Sequence, residues 1–291
     1  MSHTPVDYLL IGHITADLLP EGTRCPGGTV AYAARAAHAF GLRVGVVTSA
    51  VPGDSVLDAL TPYAQVALVP AEATTTFENR YQNRQRSQYL HGLAAPLQAK
   101  HIPTVWQSAP LLHIAPIAGE ASDPAILARF DAEITTRMLT LQGWLRRWDA
   151  DHQVRFRRWF DRTILKDIDI LIFSEEDIRE APDMEAELVG CGIRDLFVTQ
   201  SARGGKHYHA GRVQHYTTPQ KIEQHPTGAG DIFAACLLSG LHKSGDMQTA
   251  IALAATLAAD SVTWPGLSGT PTHEQIEAKL YSHAIGQGGN R

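Results

Sequence analysis

A turn of small residues that ends in an aspartate is the segment of this sequence best suited to chemistry. Residues 225–241 read HPTGAGDIFAACLLSGL, so Thr227 and a Gly-Ala-Gly turn lead directly to Asp231 and an apolar stretch. Backbone N–H groups can hold an anion where a glycine-rich turn opens a helix. A carboxylate beside such a turn suits a base that accepts a hydroxyl proton during phosphoryl transfer. The alternative is an ordinary helix N-terminus, capped by Thr227, with Asp231 in its first turn.

Short apolar runs alternate with stretches of helical length along the chain. Several runs are continuous, which is typical of strands buried on both faces of a parallel sheet. The predicted strands are Tyr8–Ile11, Val44–Thr48, Leu111–Ile114, Met138–Leu141, Ile170–Phe173 and Leu196–Thr199. The predicted helices are Val30–Phe40, Ser55–Tyr63, Pro124–Ile134, Val154–Leu165, Glu175–Glu187, Ile232–Lys243, Met247–Val262 and His273–His283. This alternation predicts one α/β domain over residues 1–291, a doubly wound and mostly parallel sheet flanked by helices, with ligands beyond the carboxyl ends of the strands.

One segment departs from that alternation and predicts a β-hairpin. Residues 74–90, TTTFENRYQNRQRSQYL, alternate with period two around a turn-like centre at Gln82–Gln85. The side chains that would share one polar face are Glu78, Arg80, Arg86 and Gln88. The hairpin is either an ordinary solvent-facing one or a small β lid over a polar substrate, in which case Arg80 is a candidate substrate-binding residue.

Composition and charge limit the classes of partner. The chain has 25 lysines and arginines against 30 aspartates and glutamates, and its largest basic cluster is Arg155–Arg158, so a nucleic-acid partner is not expected. Cys25, Cys191 and Cys236 lack metal-ligand spacing, which fits a reducing compartment without structural zinc. The apolar run Tyr8–Ile11 is too short to cross a bilayer, and no basic region of a signal peptide precedes it. We therefore expect a soluble, cytoplasmic protein without a membrane partner.

The run PTGAGDIFAACLLSGL resembles the C-terminal signature of the ribokinase-like (PfkB) family of carbohydrate kinases, and four other segments resemble further motifs in the family's order. They are Ile11–Asp17, similar to the first-strand motif; Cys25–Ala34, running on to Phe40-Gly41, similar to the di-glycine motif; Val198–Gly204, similar to the turn beside the nucleotide phosphates; and Ala254–Gly266, similar to the segment that flanks the adenine. Because these pieces extend from residue 11 to residue 266, the chain is identified as a member of that family with a ribokinase-like fold.

The resemblance implies ATP-dependent phosphorylation of an alcohol, with Mg²⁺ bridging phosphate oxygens. It makes Asp231 the base and the amides of Gly228, Ala229 and Gly230 the anion hole for the phosphoryl group. Asp17, Gly27 and Gly28 would face the acceptor. The residues that it assigns to the nucleotide are Thr199, Ser201, Gly204, Thr227 and Ala255.

The chain also departs from the family pattern. Tyr32 stands where the family often has an asparagine, which alters an acceptor contact. The family's Asn-x-x-Glu motif is here Ser174–Asp177, so Asp177 is the candidate to hold Mg²⁺ through water. His225 replaces an aspartate that helps to hold a monovalent cation, which argues against activation by potassium. The Pro226 position, the Ser-x-x-Asp motif and Leu141–Arg146 together resemble a branch of myo-inositol kinases.

The sequence alone allows more than one role for Arg146 and gives no chemical role to three of the histidines. Arg146 follows a predicted strand and either reaches an anionic group or lies on the surface. His13, His113 and His207 lack metal-ligand spacing and are expected to be structural.

The leading expectation is a kinase that transfers the γ-phosphate of ATP to a sugar or cyclitol. A nucleoside kinase is one alternative, with an aromatic acceptor pocket formed from Tyr32, Phe77 or Tyr89. A catalytically weak sensor of nucleotide or polyol is the other, since Tyr32, Ser174 and His225 depart from the family. The sequence leaves open whether the protein forms a homodimer.

Overall fold

The computed structural model of the protein describes the backbone of residues 3–82 and 85–288 and the side chains of residues 3–80 and 87–281. Its strands are β1 (Tyr8–Ile11), β2 (Thr15–Leu18), β3 (Arg24–Gly27), β4 (Val44–Ala50), β5 (Ala64–Pro70), β6 (Thr76–Gln82), β7 (Gln85–Gly92), β8 (Leu111–Ile114), β9 (Thr136–Thr140), β10 (Arg146–Trp148), β11 (Val154–Phe156), β12 (Ile170–Ser174), β13 (Asp195–Thr199), β14 (Gly205–His209) and β15 (Arg212–Tyr216). Its α-helices are α1 (Thr29–Ala39), α2 (Arg162–Leu165), α3 (Met184–Val189), α4 (Ala229–Ser244), α5 (Met247–Ser261) and α6 (His273–Gly288).

Nine strands form the main sheet, in the order β15-β14-β13-β12-β9-β8-β1-β4-β5. Neighbouring strands are parallel from β13 to β5, and β14 and β15 extend the sheet as an antiparallel hairpin. All six predicted strands lie in this sheet. The predicted α/β fold with a mostly parallel sheet is confirmed.

Two apolar layers cover the sheet, one on each face. In β1, Tyr8 and Leu10 pack into the cluster that contains α1, α4 and α5, whereas Leu9 and Ile11 pack into the cluster that contains α2 and α3. Successive side chains of a strand point to opposite faces, so a strand covered on both sides must be apolar at every position. This explains why YLLI is a continuous apolar run.

A second, four-stranded sheet has the order β3-β2-β6-β7 and contains the predicted hairpin. Strands β6 and β7 are antiparallel, and β6 runs parallel to β2. Asn83 and Arg84 of the predicted turn, and the side chain of Arg86, lie outside the described residues. Strands β2 and β3 were not predicted, because TADL and RCPG are neither continuous apolar runs nor clearly alternating.

Four predicted helices were partly or wholly wrong. Residues 154–165 form strand β11, which pairs with β10, and only the short helix α2. The segments 55–63 and 124–134 contain 3₁₀ turns at Ser55–Ala59 and Pro124–Arg129. In 175–187 only the end from Met184 is helical, because Pro182 lacks an N–H and disfavours helical geometry at the residue before it. The helices predicted at α1, α4, α5 and α6 are confirmed.

No described helix combines the length and the apolar character that a membrane span requires.

Candidate active site

The glycine-rich turn opens α4, as its sequence predicts. Gly228 is the N-cap of this helix and has the left-handed φ of 88° that glycine adopts without strain. A Cβ at this position would lie 2.3 Å from Cε1 of Tyr32, so the ring also requires glycine there. The Ala229 N–H donates to the Pro226 carbonyl at 3.2 Å and closes the turn. The positive end of the α4 dipole therefore lies at an exposed Gly230 and a half-buried Asp231.

Asp231 lies in the first turn of α4 beside the first residue of α1. Loss of solvent raises the pKa of its carboxyl to about 6, and the charges of Asp177 and Asp17 act in the same direction. A hydrogen bond from the Thr29 side chain and the positive charge of Arg146 act against that rise. A carboxylate with a pKa near neutrality is suited to general base catalysis.

Asp17 and the two glycines lie where β2 pairs with β3. Thr15 faces Gly27 and Asp17 faces Cys25 in the register of the two strands. A Cβ on Gly27 would stand 2.6 Å from Oδ2 of Asp17, so the absence of a side chain lets the backbone approach this carboxylate. Gly28 has a φ of 84°, and its Cβ would meet the His13 carbonyl oxygen at 2.7 Å. Gly28 is thus required by the backbone geometry, whereas a side chain at Gly27 would displace the Asp17 carboxylate.

Tyr32 lies between the two sides of the candidate site, the one with Asp231 and the one with Asp17. It follows Thr29 by one turn of α1, is 3% exposed and packs its ring on Gly228. Burial raises the pKa of its hydroxyl, and the charges of Asp231 and Asp17 add to the effect. Tyr32 therefore lies close to both carboxylates, and the departure noted in the sequence falls at the centre of the site.

Arg146 brings a positive charge to the candidate site, although the sequence left its role undecided. It begins β10, directly after the turn that follows β9. Its Nη1 donates to the Ile117 carbonyl at 3.1 Å, its guanidinium carbon lies 5.6 Å from the Phe77 ring centroid, and its charge lowers the pKa of Asp231. The signal available in the sequence was its place after the carboxyl end of a strand.

Asp177 lies at the carboxyl end of β12, in a closed turn with Ser174. Its Oδ2 accepts from the Ser174 N–H at 2.9 Å, and its Oδ1 accepts from Nε2 of Gln142 at 3.2 Å. Its charge raises the pKa of Asp231, so the two carboxylates face the same region. Glu175 instead accepts from Gln200 and pairs with Arg203. Carboxylate oxygens of this kind suit Mg²⁺ held through water, and the cation would relieve the repulsion between the two acids.

Three of the predicted nucleotide residues lie on two segments, the 201–204 turn and α5, which the segment with Thr218 and Gln220 connects. Ser201 has a φ of 50°, and Gly204 has a φ of 93° and lies where a Cβ would strike the Tyr216 carbonyl oxygen. The Thr218 hydroxyl donates to the carbonyl of the buried Ala255 at 3.0 Å, and Nε2 of Gln220 donates to the Ala202 carbonyl at 2.9 Å. The segment that contains Thr218 and Gln220 therefore joins the 201–204 turn to α5.

The remaining predicted positions are Thr199, at the carboxyl end of a strand, and Thr227 and His225, just before α4. Thr199 ends β13 and is half-buried, Thr227 is exposed, and the exposed His225 donates its N–H to the Val262 carbonyl at 3.0 Å.

Arg80 is not brought to the other candidate residues. Its guanidinium pairs with Glu78 at 2.7 Å and lies over the Tyr89 ring, 4.3 Å from the centroid. The buried Phe77 is an odd number of residues away on β6, so the pleat points the two side chains to opposite faces. Of the aromatic residues considered for an acceptor pocket, Tyr32 and Phe77 lie near the site, and Tyr89 lies on the face of Arg80.

The histidines fall into two groups. His13 contacts the Thr75 hydroxyl and the Ala95 carbonyl through its two ring nitrogens, as a structural histidine would. His207, with His209, is hydrogen-bonded to Asp195 at 2.8 Å, and these three residues lie close enough to hold a metal ion. The sequence did not predict that His207 and His209 form such a pair. Asp195 begins β13, so the cluster lies at the opposite edge of the sheet from Thr199 and the candidate site.

Sequence comparison supports the assignment of the C-terminal part. Residues 154–273 match the pattern of the pfkB family carbohydrate kinases. No curated protein has a sequence that matches the chain.

Solved structures share the fold at low identity. A pyrophosphate-dependent kinase of the ribokinase family, complexed with a pyrophosphate analogue and myo-inositol, is 21% identical with a TM-score of 0.79, and the match covers 93% of this chain and 99% of that one. Ribokinase from Thermotoga maritima is 17% identical with a TM-score of 0.73, over 94% and 99% of the two chains. Ribokinase from Arabidopsis thaliana, complexed with ribose and ATP, is 15% identical with a TM-score of 0.72, over 96% and 99%. The likeness confirms the ribokinase-like fold.

Proposed function

We propose that the chain is a carbohydrate kinase of the PfkB/ribokinase type, a phosphotransferase that acts on an alcohol group, and that it transfers the γ-phosphoryl group of ATP to a hydroxyl of a sugar or cyclitol. The observation that carries this proposal is the position of Asp231. Its carboxyl has a pKa raised to about 6 and lies directly behind the Gly228 turn, within electrostatic range of Asp17. A base, an anion-binding helix N-terminus and a second carboxylate that can orient hydroxyls are the groups that the reaction requires.

The proposed sequence of events uses these groups in turn. Asp17 accepts hydrogen bonds from adjacent acceptor hydroxyls and fixes the reactive one toward Asp231. Asp231 takes the proton as the hydroxyl oxygen attacks the γ-phosphorus, and the bond to the leaving phosphate breaks. Amides of the Gly228–Gly230 turn stabilise the charge on the transferred group. Asp177 would hold Mg²⁺ through water, and the cation would supply positive charge to the donor phosphates.

Two features favour a polyol over a nucleoside as the acceptor. Three carboxylates, Asp17, Asp177 and Asp231, act on one another or on Tyr32, so the site is rich in acceptors for hydroxyl donors. A similar solved structure holds myo-inositol. Myo-inositol is therefore the first acceptor to test.

The dependence of kcat/KM on pH is expected to report the pKa of Asp231. Only the carboxylate can accept the proton, so kcat/KM should rise with pH around a midpoint near the raised pKa of about 6 and then level off. Arg146→Met removes a positive charge that lowers this pKa, so the midpoint should move to higher pH. The measurement is kcat/KM from about pH 5 to about pH 9.

Arg147→Met is the matched control for that experiment, because Arg147 is adjacent, 47% exposed and paired with Asp149. Its midpoint should coincide with that of the unmodified protein. An unchanged midpoint in Arg146→Met would contradict the effect of this arginine's charge on Asp231.

Exposed apolar side chains beside the turn favour a nucleotide as the donor. Trp264 is 59% exposed and Ile222 is 83% exposed. The N–H groups of Gln224 and His225 donate to the Val262 carbonyl and hold these two segments together. An adenine base would cover such apolar surface, whereas pyrophosphate has no apolar part. Pyrophosphate is the second candidate donor, because a similar structure is a pyrophosphate-dependent kinase.

Trp264→Ala should distinguish the two donors. We expect kcat/KM for ATP to fall about tenfold, the size of a lost base–aromatic contact, and any rate with pyrophosphate to be unchanged. Tyr281→Ala is the control, since Tyr281 is an exposed aromatic residue of α6, 70% exposed. A high rate with pyrophosphate, together with an ATP rate that Trp264→Ala does not alter, would favour the second donor.

A screen of acceptors tests the proposal as a whole. Inositols, pentoses, hexoses and nucleosides are each supplied with ATP or pyrophosphate, and Asp231→Asn defines the background. Turnover of a cyclitol or sugar above that background supports the proposal, and turnover of nucleosides alone would replace it with the nucleoside kinase. Tight calorimetric binding of ATP and a polyol without turnover would instead identify a sensor.

A further inference from the structure

A groove of about 990 Å³ lies at the opposite end of α1 from the candidate active site. Its walls are the last turn of α1, the start of β5 and the 267–274 segment before and within the first turn of α6. Thr29 contacts Asp231 at one end of the helix, and His38 lines the groove about 14 Å further along the axis. The groove is of a size that holds a small-molecule ligand.

Arg35 lies in the wall of this groove as a half-buried cation without a carboxylate partner among the described residues. Its Nη2 donates to the Tyr63 hydroxyl oxygen at 2.6 Å, and its Nη1 lies 3.5 Å from the Leu267 carbonyl oxygen. Its guanidinium carbon lies 4.5 Å from the Tyr63 ring centroid. These neutral contacts orient the guanidinium and leave its charge uncompensated, which is unfavourable for a partly desolvated ion.

Two histidines also line the same groove. His38 follows Arg35 by one turn of α1, and its ring meets the Tyr63 ring edge-on at 5.6 Å between centroids. Nδ1 of His273 lies 2.9 Å from the Ala39 carbonyl oxygen and donates to it, so the other ring nitrogen is the one available to a ligand. The acid in the lining is Glu274, and Arg43 is already neutralised by Asp7 at 2.6 Å.

We infer that this groove is a second binding site, for a small molecule that carries a phosphate group. The planar guanidinium of Arg35 is suited to bind two phosphate oxygens, and the Tyr63 ring fixes its plane. Because the groove is larger than a phosphate ion, the organic part of a phosphate ester would occupy the rest of it.

The test uses the full chain with the candidate active site filled by a non-hydrolysable ATP analogue and Mg²⁺. Inorganic phosphate, glucose 6-phosphate and glucose are each titrated by calorimetry. We expect saturable binding of glucose 6-phosphate and weaker binding of inorganic phosphate, whereas any binding of glucose at the open acceptor position should not depend on Arg35. Arg35→Met should weaken the binding of glucose 6-phosphate about tenfold or more, as expected for lost hydrogen bonds to a charged group.

Arg43→Met is the matched control, because Arg43 lines the same groove but is paired with Asp7. Its affinity for glucose 6-phosphate should stay within about twofold of the unmodified protein. If Arg35→Met does not fold, His38→Gln replaces it, since His38 is exposed, and a weaker affinity is expected there too. Equal affinity for glucose 6-phosphate in the unmodified protein and the foldable variant, or no saturable binding of glucose 6-phosphate, would overturn the inference. Phosphate binding lost in Gly228→Ala but kept in Arg35→Met would place the ion at the α4 turn and would also overturn it.

Discussion

Asp231→Asn is expected to lower kcat by about 10³-fold, the usual contribution of a general base. Asparagine has nearly the shape of aspartate, so the hydrogen-bonded contact with Thr29 and the start of α4 can persist. It cannot accept the hydroxyl proton, however. Because the donor contacts lie on other residues, the KM for the donor should change by less than about threefold.

Asp231→Asn is also expected not to lower the stability of the protein, unlike a substitution that damages the fold. Burial raises the pKa of Asp231, so the folded protein holds this carboxylate less favourably than the unfolded chain does above pH 6. Its replacement by a neutral amide should therefore leave the melting temperature unchanged or raise it at pH 8. A kcat above about one tenth of the original, measured with a pure protein, would remove Asp231 from the role of base.

Gly228→Ala is expected to have the second largest effect, because two separate features oppose a side chain there. The left-handed φ of 88° costs an L-residue about 1–2 kcal/mol. The new Cβ would also stand 2.3 Å from a ring carbon of Tyr32. We expect a loss of about 2–4 kcal/mol in the free energy of unfolding and a fall of more than about 10²-fold in kcat, since the amides of the anion hole must shift.

Gly230→Ala is the matched control for this prediction. A Cβ on Gly230 meets no protein atom within 4 Å, and alanine favours the helix, so this variant should be as stable as the unmodified protein or more stable. Its activity measures how closely the phosphoryl group approaches that position. The measurements are urea unfolding and initial rates.

A double variant separates the two causes of the Gly228→Ala effect. With Tyr32→Ala in the background, the steric part should vanish and the backbone part should remain, so the two substitutions should be non-additive. Additive losses would show that the ring is not what excludes a side chain at Gly228.

The parts of the fold that could be predicted were segments in which every residue favours the same structure. The continuous apolar run of β1 predicts a doubly buried strand without knowledge of its neighbours. The segment 154–165 was misread as helix because three alternating residues, Val-Arg-Phe, are too few to establish a period of two. Their strand conformation depends on pairing with β10, and the partner of a strand is not visible in the strand itself.

The candidate site likewise contains residues that a single segment predicts and residues that only the fold brings together. The glycine turn and Asp231 are contiguous, so the sequence predicts them together. The contact of Thr29 with Asp231 and the charge of Arg146 near that carboxylate join residues far apart in the chain, and only the arrangement of the strands brings them together. Arg80 failed to join the site for a local reason, since Glu78 and Tyr89 on the same sheet provide it with better partners.

The contact between Tyr32 and Gly228 limits how a protein of this kind can be re-engineered. Tyr32 belongs to the helix that follows the glycines proposed to face the acceptor, and Gly228 belongs to the turn proposed to hold the transferred phosphoryl group. A smaller residue at position 32, chosen to admit a bulkier acceptor, would also remove the surface on which the turn rests. Variants selected for a new acceptor should therefore lose turnover on every acceptor at once, and recovery would require a second substitution that supports the turn from another side.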